Sequence, residues 1–114
     1  KTTRQIETDL LSGRTALVVN DDGGDVENLF SGLRTGETMS ELWQVHPDDP
    51  LSARAVHVWE QRLSRGDWVV RTKAHAEMTA TATHLHMKAN LTAWEGDEMI
   101  FSRDFDDAVP RRFV

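Results

Sequence analysis

The chain has 114 residues, a formal net charge of −6 and no cysteine. This length predicts a single domain over residues 1–114 and is too short for a two-domain enzyme. The missing cysteines exclude disulfide scaffolds, thiolate zinc sites and thiol nucleophiles. The acidic balance argues against a nucleic-acid partner. No apolar run approaches the roughly 18 residues of a membrane-spanning helix, so a membrane partner is not expected either.

The first third of the chain predicts strands joined by turns. Residues 4–10 and 15–20 flank Ser12–Gly13, which suits a hairpin turn. The Gly- and Asp-rich segment 21–25 predicts a loop, and a second glycine-containing connection is expected over 31–36. We find no internal repeat.

Residues 39–46 alternate less cleanly but place Met39 and Trp43 on one face of a strand. Residues 50–65 fit two structures. A helix would have Asp49 as its N-cap and Pro50 at its first position. A strand would make residues 64–67 a turn. That turn would pair three sets of residues across a hairpin: Leu63 with Trp68, Trp59 with Thr72, and Glu60 with Arg71. The strand is favoured, and one helical turn over 50–53 fits either structure.

The second half alternates with a period of two. Apart from Thr72, apolar residues occupy the even positions of 68–80 and the odd positions of 85–93, which is typical of half-buried antiparallel strands. Residues 94–98 suit a hairpin turn, and a third strand follows from Met99 towards Pro110. The sequence therefore predicts a mainly β fold with at most one short helix. Its architecture would be an antiparallel meander forming a curved sheet, a sandwich or a partly closed barrel.

Three histidines are the candidate metal ligands. His84 and His86 point to the same face of one predicted strand, and His75 lies on the polar face of the preceding one. Three neutral imidazoles at one point would bind zinc or copper, and one of them could act as an acid or base in a small enzyme. A solvated polar face explains them more simply, so no metal or cofactor is expected.

Other catalytic patterns are absent from the sequence. The acidic segment 21–25 fails as an EF-hand, because the twelfth position counted from Asp21 is Gly32 and not a bidentate Glu. There is no G-x-S-x-G nucleophile elbow and no phosphate-binding loop. No catalytic residue is therefore assigned.

The tryptophans and small residues indicate possible contact surfaces. Trp43 and Trp68 fall on predicted core faces, whereas Trp94 falls on a polar face at a strand end. Trp94 is therefore expected to be the most exposed tryptophan and a candidate interaction residue. Small inward residues leave room for an apolar ligand inside a curved sheet: Ala74, Ala76 and Ala89.

Four motifs occur in order along residues 40–114: HPDDPLSARA at 46–55, LSRGDW at 63–68, AWEGDE at 93–98 and VPRRFV at 109–114. This stretch resembles the C-terminal region of long members of the cocaine-esterase (CocE/NonD) and X-prolyl dipeptidyl-peptidase family of serine hydrolases. A weaker likeness covers residues 1–20. The chain departs from the family's ending at Arg112, where an acidic residue is usual.

The resemblance implies a β-rich accessory domain that follows an α/β-hydrolase domain. The family's Ser, Asp and His triad lies outside these motifs, so no catalytic residue carries over. The implied partner is the hydrolase domain of a parent chain or another subunit, and a homo-oligomer is compatible with it. The first residue, Lys1, fits the end of a larger protein. A stand-alone β-barrel-like protein that binds a small molecule is the alternative.

Overall fold

The computed structural model describes all 114 residues. It contains seven strands joined by short connections and no helix. The strands are β1 (Thr2–Thr8), β2 (Thr15–Glu27), β3 (Arg34–His46), β4 (Asp49–Arg65), β5 (Trp68–Ala80), β6 (His84–Glu95) and β7 (Glu98–Pro110). Each strand pairs antiparallel with the next, in the order β1 to β7. The predicted mainly β fold and antiparallel meander are confirmed. The strands β1 and β7 lie at opposite edges, so the chain forms one open sheet and neither a sandwich nor a closed barrel.

The ambiguous segment 50–65 is the central strand β4, so the helix and the single helical turn over 50–53 are both wrong. Residues of β4 pair with β3 on one side and with β5 on the other. β-Branched and aromatic residues such as Val56, Val58 and Trp59 favour this pleated surface. Pro50 is tolerated because it lies at the beginning of the strand, where its missing N–H costs little.

The β4–β5 hairpin turns on two residues, Gly66 and Asp67, with Arg65 opposite Trp68. Gly66 has a φ of 58° and Asp67 does not have a positive φ, which is the type II′ pattern. The four-residue turn expected over 64–67 is therefore wrong. The register differs by two residues, so Trp59 faces Ala74 and Leu63 faces Val70. A shift of two leaves every side chain on its expected face.

The acidic segment 21–25 belongs to β2, so the predicted loop is wrong. The pairing with β3 shifts between Asp22 and Asp25, and Gly24 within this bulge has a φ of 68°. A bulge takes up extra residues without ending the ladder. The second connection spans 28–33, because Arg34–Gly36 already belong to β3. It therefore lies three residues earlier than the connection expected over 31–36.

The two faces of the sheet differ in chemistry. One face carries large apolar side chains from all seven strands, including Ile6 of β1, and we call it the apolar face. Its members include Leu17, Trp43, Trp59, Met78, Leu91 and Phe105, which the strand register places on the same side. The opposite, polar face carries most of the charged residues of β4 to β6.

No second layer covers the apolar face. Five residues are buried, and the largest of them is Val19. The accessible surface is 8519 Å², whereas a compact monomer of this mass exposes about 6,300 Å². The radius of gyration is 18.0 Å, against about 13 Å for a compact chain of this length. The shortest dimension is 26 Å, which is too large for a flat sheet and reflects strand twist and sheet curvature.

Candidate functional site

The apolar face is the candidate functional site. The register places Trp43, Ala55, Met78 and Met87 in one row across four neighbouring strands. Trp43 and Trp59 on this face are 43% and 46% exposed. A continuous exposed apolar surface that spans several strands marks a binding surface or an interface. Trp43 and Trp68 were expected in the core, and both are exposed because the sheet has only one layer.

A depression lies at the centre of the apolar face. Its floor contains Ala55, Ala76 and Ala89, and Trp43 and Phe105 stand among the larger lining residues. The cavity volume is about 710 Å³. Methyl groups at these positions leave space between the larger side chains, as expected for Ala76 and Ala89. Ala74 lies two residues from Ala76 and does not line the depression.

Polar groups within the apolar face are few. His57 stands beside the depression, with its ring edge-on to Trp43 at a centroid distance of 4.9 Å. Its Nδ1 lies 3.7 Å from Glu41 Oε1. Glu37 on β3 accepts from Gln61 at one end of this face. The other charged residues include Arg4 on the β1 edge, and Arg103 and Asp107 on the β7 edge. An apolar centre with charged flanks is the usual layout of a protein interface.

The polar face is held by cross-strand ion pairs. Arg54 Nε donates to Glu77 Oε1 at 2.5 Å, and Arg71 Nη1 donates to Glu60 Oε1 at 2.9 Å. The hydrogen bond from Arg54 lowers the pKa of Glu77, and the same contact raises the pKa of Arg54. The Glu60–Arg71 contact that the sequence predicted is present, although the two residues are diagonal and not directly opposite.

A third ion pair closes the bulge in β2. Arg62 Nη2 donates to Asp25 Oδ1 at 3.1 Å, and Gly36 lies directly beneath this contact. These three ion pairs link neighbouring strands across the polar face, which is typical of a solvated surface. The apolar face has few such contacts, including one between His57 and Glu41 and one from Gln61 to Glu37.

The three candidate histidines do not converge. His75 pairs with Asn90 and His86 pairs with Thr79, so His75 and His86 are separated by four residues along the ladder. The rings of His84 and His86 are 6.2 Å apart. No group of three His, Asp or Glu side chains is placed to hold a metal ion. The three candidate ligands His75, His84 and His86 are therefore not brought together by this fold.

One hydroxyl–imidazole contact exists. Thr83 Oγ1 lies 2.8 Å from His84 Nδ1, in the short connection between β5 and β6. A nucleophile–base pair also needs a group that orients the base. No carboxylate forms an ion pair with His84. The contact is explained by the turn, in which Thr81 Oγ1 also accepts from the backbone N–H of Thr83 and of His84.

Trp94 is the least exposed of the four tryptophans, which reverses the expected order. It is half-buried, whereas Trp43, Trp59 and Trp68 are exposed. The guanidinium carbon of Arg71 lies 3.9 Å from the centroid of the Trp94 ring. The sequence pattern placed Trp94 on the polar face but could not show that Arg71 covers it.

Sequence reasoning also missed a repeated loop. Residues 9–13 read DLLSG and residues 28–32 read NLFSG. In each, the first side chain accepts from the backbone N–H two residues on, and the glycine N–H donates back to the first carbonyl. Each loop displays two exposed apolar side chains, with Leu11 99% and Phe30 104% exposed. The five-residue similarity was the signal that could have revealed the pair.

Comparison with protein-family models, with curated proteins and with solved structures finds no match to this chain. The strand assignment contains no helix long and apolar enough to cross a membrane.

Proposed function

We propose that the chain is a non-catalytic accessory β domain of a serine hydrolase related to the CocE/NonD esterases and X-prolyl dipeptidyl-peptidases. Its role would be packing, assembly or control of substrate access. The observation that carries the proposal is the uncovered apolar face, which a neighbouring body must bury. A domain normally consists of at least two packed layers, and this sheet supplies one.

The ordered motifs support this choice of parent protein. Three of them map to elements of the sheet that shape its hairpins. HPDDPLSARA covers the β3–β4 turn and the beginning of β4, LSRGDW covers the β4–β5 turn, and AWEGDE covers the β6–β7 turn. In this chain the motifs thus occupy the positions that define the hairpins, and the parent's hydrolase domain would provide the catalytic groups.

The first experiment assays the purified chain with p-nitrophenyl esters and X-Pro anilides. We expect no turnover above the buffer rate, and turnover that survives repurification would contradict the proposal. The second experiment reads the gene upstream of Lys1. A frame that continues into a domain with a G-x-S-x-G elbow supports the proposal, and a start codon immediately before Lys1 contradicts it.

A second candidate function is that of a stand-alone protein that binds a small apolar molecule. The central depression favours it, because about 710 Å³ falls within the usual range of about 300–1,000 Å³ for ligand sites. Titration with an apolar fluorescent dye tests it. Ala76→Phe should fill the depression and abolish dye binding, whereas Lys73→Ala on the polar face should not. Equal dye binding by both variants would contradict this second function.

A further inference from the structure

We propose that the apolar face is covered by a second copy of this chain, packed face to face as a two-layer sandwich. The proposed function leaves the neighbouring body open between the hydrolase domain and another subunit. A second copy would make the accessory domain an assembly domain, but the association requires only the residues of this sheet.

The surface area is the first argument. The chain exposes 8519 Å², which exceeds the area of a compact monomer of its mass by about 2,200 Å². Two copies that each bury this excess remove about 4,400 Å² in total, and obligate homodimers bury about 2,000–5,000 Å². The uncovered area is therefore the amount that a stable dimer needs.

The position of the charges on the apolar face is the second argument. The register connects Arg4 on β1 to Phe105 on β7 through one transverse row of paired residues. Asp107 lies on the same face, two residues beyond Phe105. Neither Arg4 nor Asp107 forms an ion pair within the chain.

A two-fold axis parallel to the strands and above β4 places β1 of one copy against β7 of the other. Arg4 then lies over the Phe105–Asp107 stretch of the second copy. Another transverse row runs from Thr2 on β1 through Asp21 on β2 to Arg103 on β7. Arg103 of one copy therefore lies over the β1 edge of the second copy, close to its Asp21. Aligned sheets rotate by about 30°, and a long arginine side chain spans the offset this leaves. Opposite charges thus meet on both flanks, while the tryptophan, methionine and alanine rows meet at the centre.

The symmetry makes a decisive test available. In an isologous dimer each Arg4–Asp107 contact occurs twice. Arg4→Asp leaves only acids at both positions, and Asp107→Arg leaves only bases, so each variant alone should dimerise about tenfold or more weakly. When the two variants are mixed, each can supply the charge that the other lacks, and heterodimers should form with nearly the native affinity. Lys73→Asp on the polar face is the matched control and should leave the affinity unchanged.

Light scattering after gel filtration and sedimentation equilibrium measure the mass over a range of concentrations. We expect twice the 12.9 kDa chain mass, with circular dichroism confirming that each variant keeps its β structure. A folded monomer at all concentrations, polydisperse aggregates without a dimer, or a mixture no tighter than the single variants would overturn the proposal. If the chain is monomeric and its gene continues upstream into a hydrolase domain, the dimer proposal fails and the proposed function stands. If the chain is dimeric and its gene contains no upstream hydrolase domain, the proposed function fails and the dimer proposal stands.

Discussion

Arg71 on β5 lies across the ring of Trp94 on β6, with 3.9 Å between the guanidinium carbon and the ring centroid. The two residues are directly opposite in the β5–β6 ladder. Arg71 also donates from Nη1 to Glu60 Oε1 on the other neighbouring strand. One arginine therefore connects three strands across the polar face and keeps Trp94 less exposed than the tryptophans of the apolar face.

Replacing Arg71 by alanine should lower the free energy of unfolding by about 1 kcal/mol, through loss of an exposed cation–π contact and an exposed ion pair. Urea denaturation measures the change, and tryptophan emission should shift to the red as Trp94 meets water. Arg71→Lys should have a free energy of unfolding between those of the native chain and Arg71→Ala, because a lysine keeps the charge but not the planar stacking. Arg112→Ala removes an arginine without either contact and should change neither readout. A variant at position 71 with native stability would refute this assignment.

The Arg54–Glu77 pair predicts how stability depends on pH. The hydrogen bond from Arg54 lowers the pKa of Glu77 below its ordinary value of 4.5, with smaller help from the charges of Arg54, His75 and Lys88. The unfolded chain therefore binds a proton at Glu77 at a higher pH than the folded chain does. The stabilisation is present above pH 4.5 and is lost as the pH falls through the lowered pKa.

Glu77→Gln should accordingly be less stable than the native chain by about 0.2–1 kcal/mol at neutral pH. This difference should persist down to pH 4.5 and disappear at more acidic pH. Thermal unfolding followed by circular dichroism over a pH series measures it. Glu98→Gln removes a carboxylate that forms no ion pair and is the matched control. A difference of constant size throughout the acid range would contradict the role of Glu77.

The strands could be predicted because side-chain alternation is local. Residues 68–80 alternate except at Val69 and Thr72, and β5 spans the same residues. The register could not be predicted, because it depends on which residues form the turn. The choice of Gly66–Asp67 follows from a backbone φ of 58° at Gly66, which composition does not reveal.

The acidic segment shows how long-range pairing overrides composition. Its glycines and aspartates are typical of a loop, yet Asp25 pairs with Gly36 and accepts from Arg62, which is 37 residues away. The candidate site could also be predicted only in part, because its exposure depends on long-range packing. Alternation indicates which face is apolar, but only the assembled sheet shows that no second layer covers Trp43 and Trp68.

Gly36 should be intolerant of a side chain because of the ion pair above it. A Cβ at Gly36 would lie 2.0 Å from Asp25 Oδ1 and 2.8 Å from Arg62 Nη2. Gly36→Ala must therefore displace the carboxylate and break the Asp25–Arg62 contact. We expect a loss of about 1 kcal/mol or more in the free energy of unfolding, measured by urea denaturation.

The same substitution should be harmless once the obstacle is removed. In an Asp25→Ala background, Gly36→Ala should be neutral or stabilising, because alanine costs less backbone entropy than glycine in a strand. The two substitutions should thus be non-additive. Gly23→Ala is the control, since the nearest atom to its Cβ would be Glu37 O at 3.6 Å. Equal losses from Gly36→Ala in both backgrounds would contradict the steric explanation.

The repeated loops offer a matched comparison of a charged and a neutral acceptor. Asp9 Oδ1 accepts from the backbone N–H of Leu11, and Asn28 Oδ1 accepts from that of Phe30, both at 2.9 Å. The N–H groups of Leu11 and Ser12 lower the pKa of Asp9, so its contribution is lost as the pH falls through that lowered value. Asp9→Asn should keep the loop closed near neutral pH and should remove this acid-dependent loss of stability. Asp9→Ala should open the loop at every pH, because no acceptor remains.

Limited proteolysis at the exposed Leu10–Leu11 pair measures loop opening, and thermal unfolding over a pH series measures stability. The reciprocal variant Asn28→Asp should make the second loop sensitive to acid in the way that the first loop is. Cleavage in the first loop at neutral pH should be slow for the native chain and Asp9→Asn, and fast for Asp9→Ala. If Asp9→Asn is cleaved as fast as Asp9→Ala, the side-chain acceptor does not hold the loop, and the shared DLLSG and NLFSG pattern has no structural role.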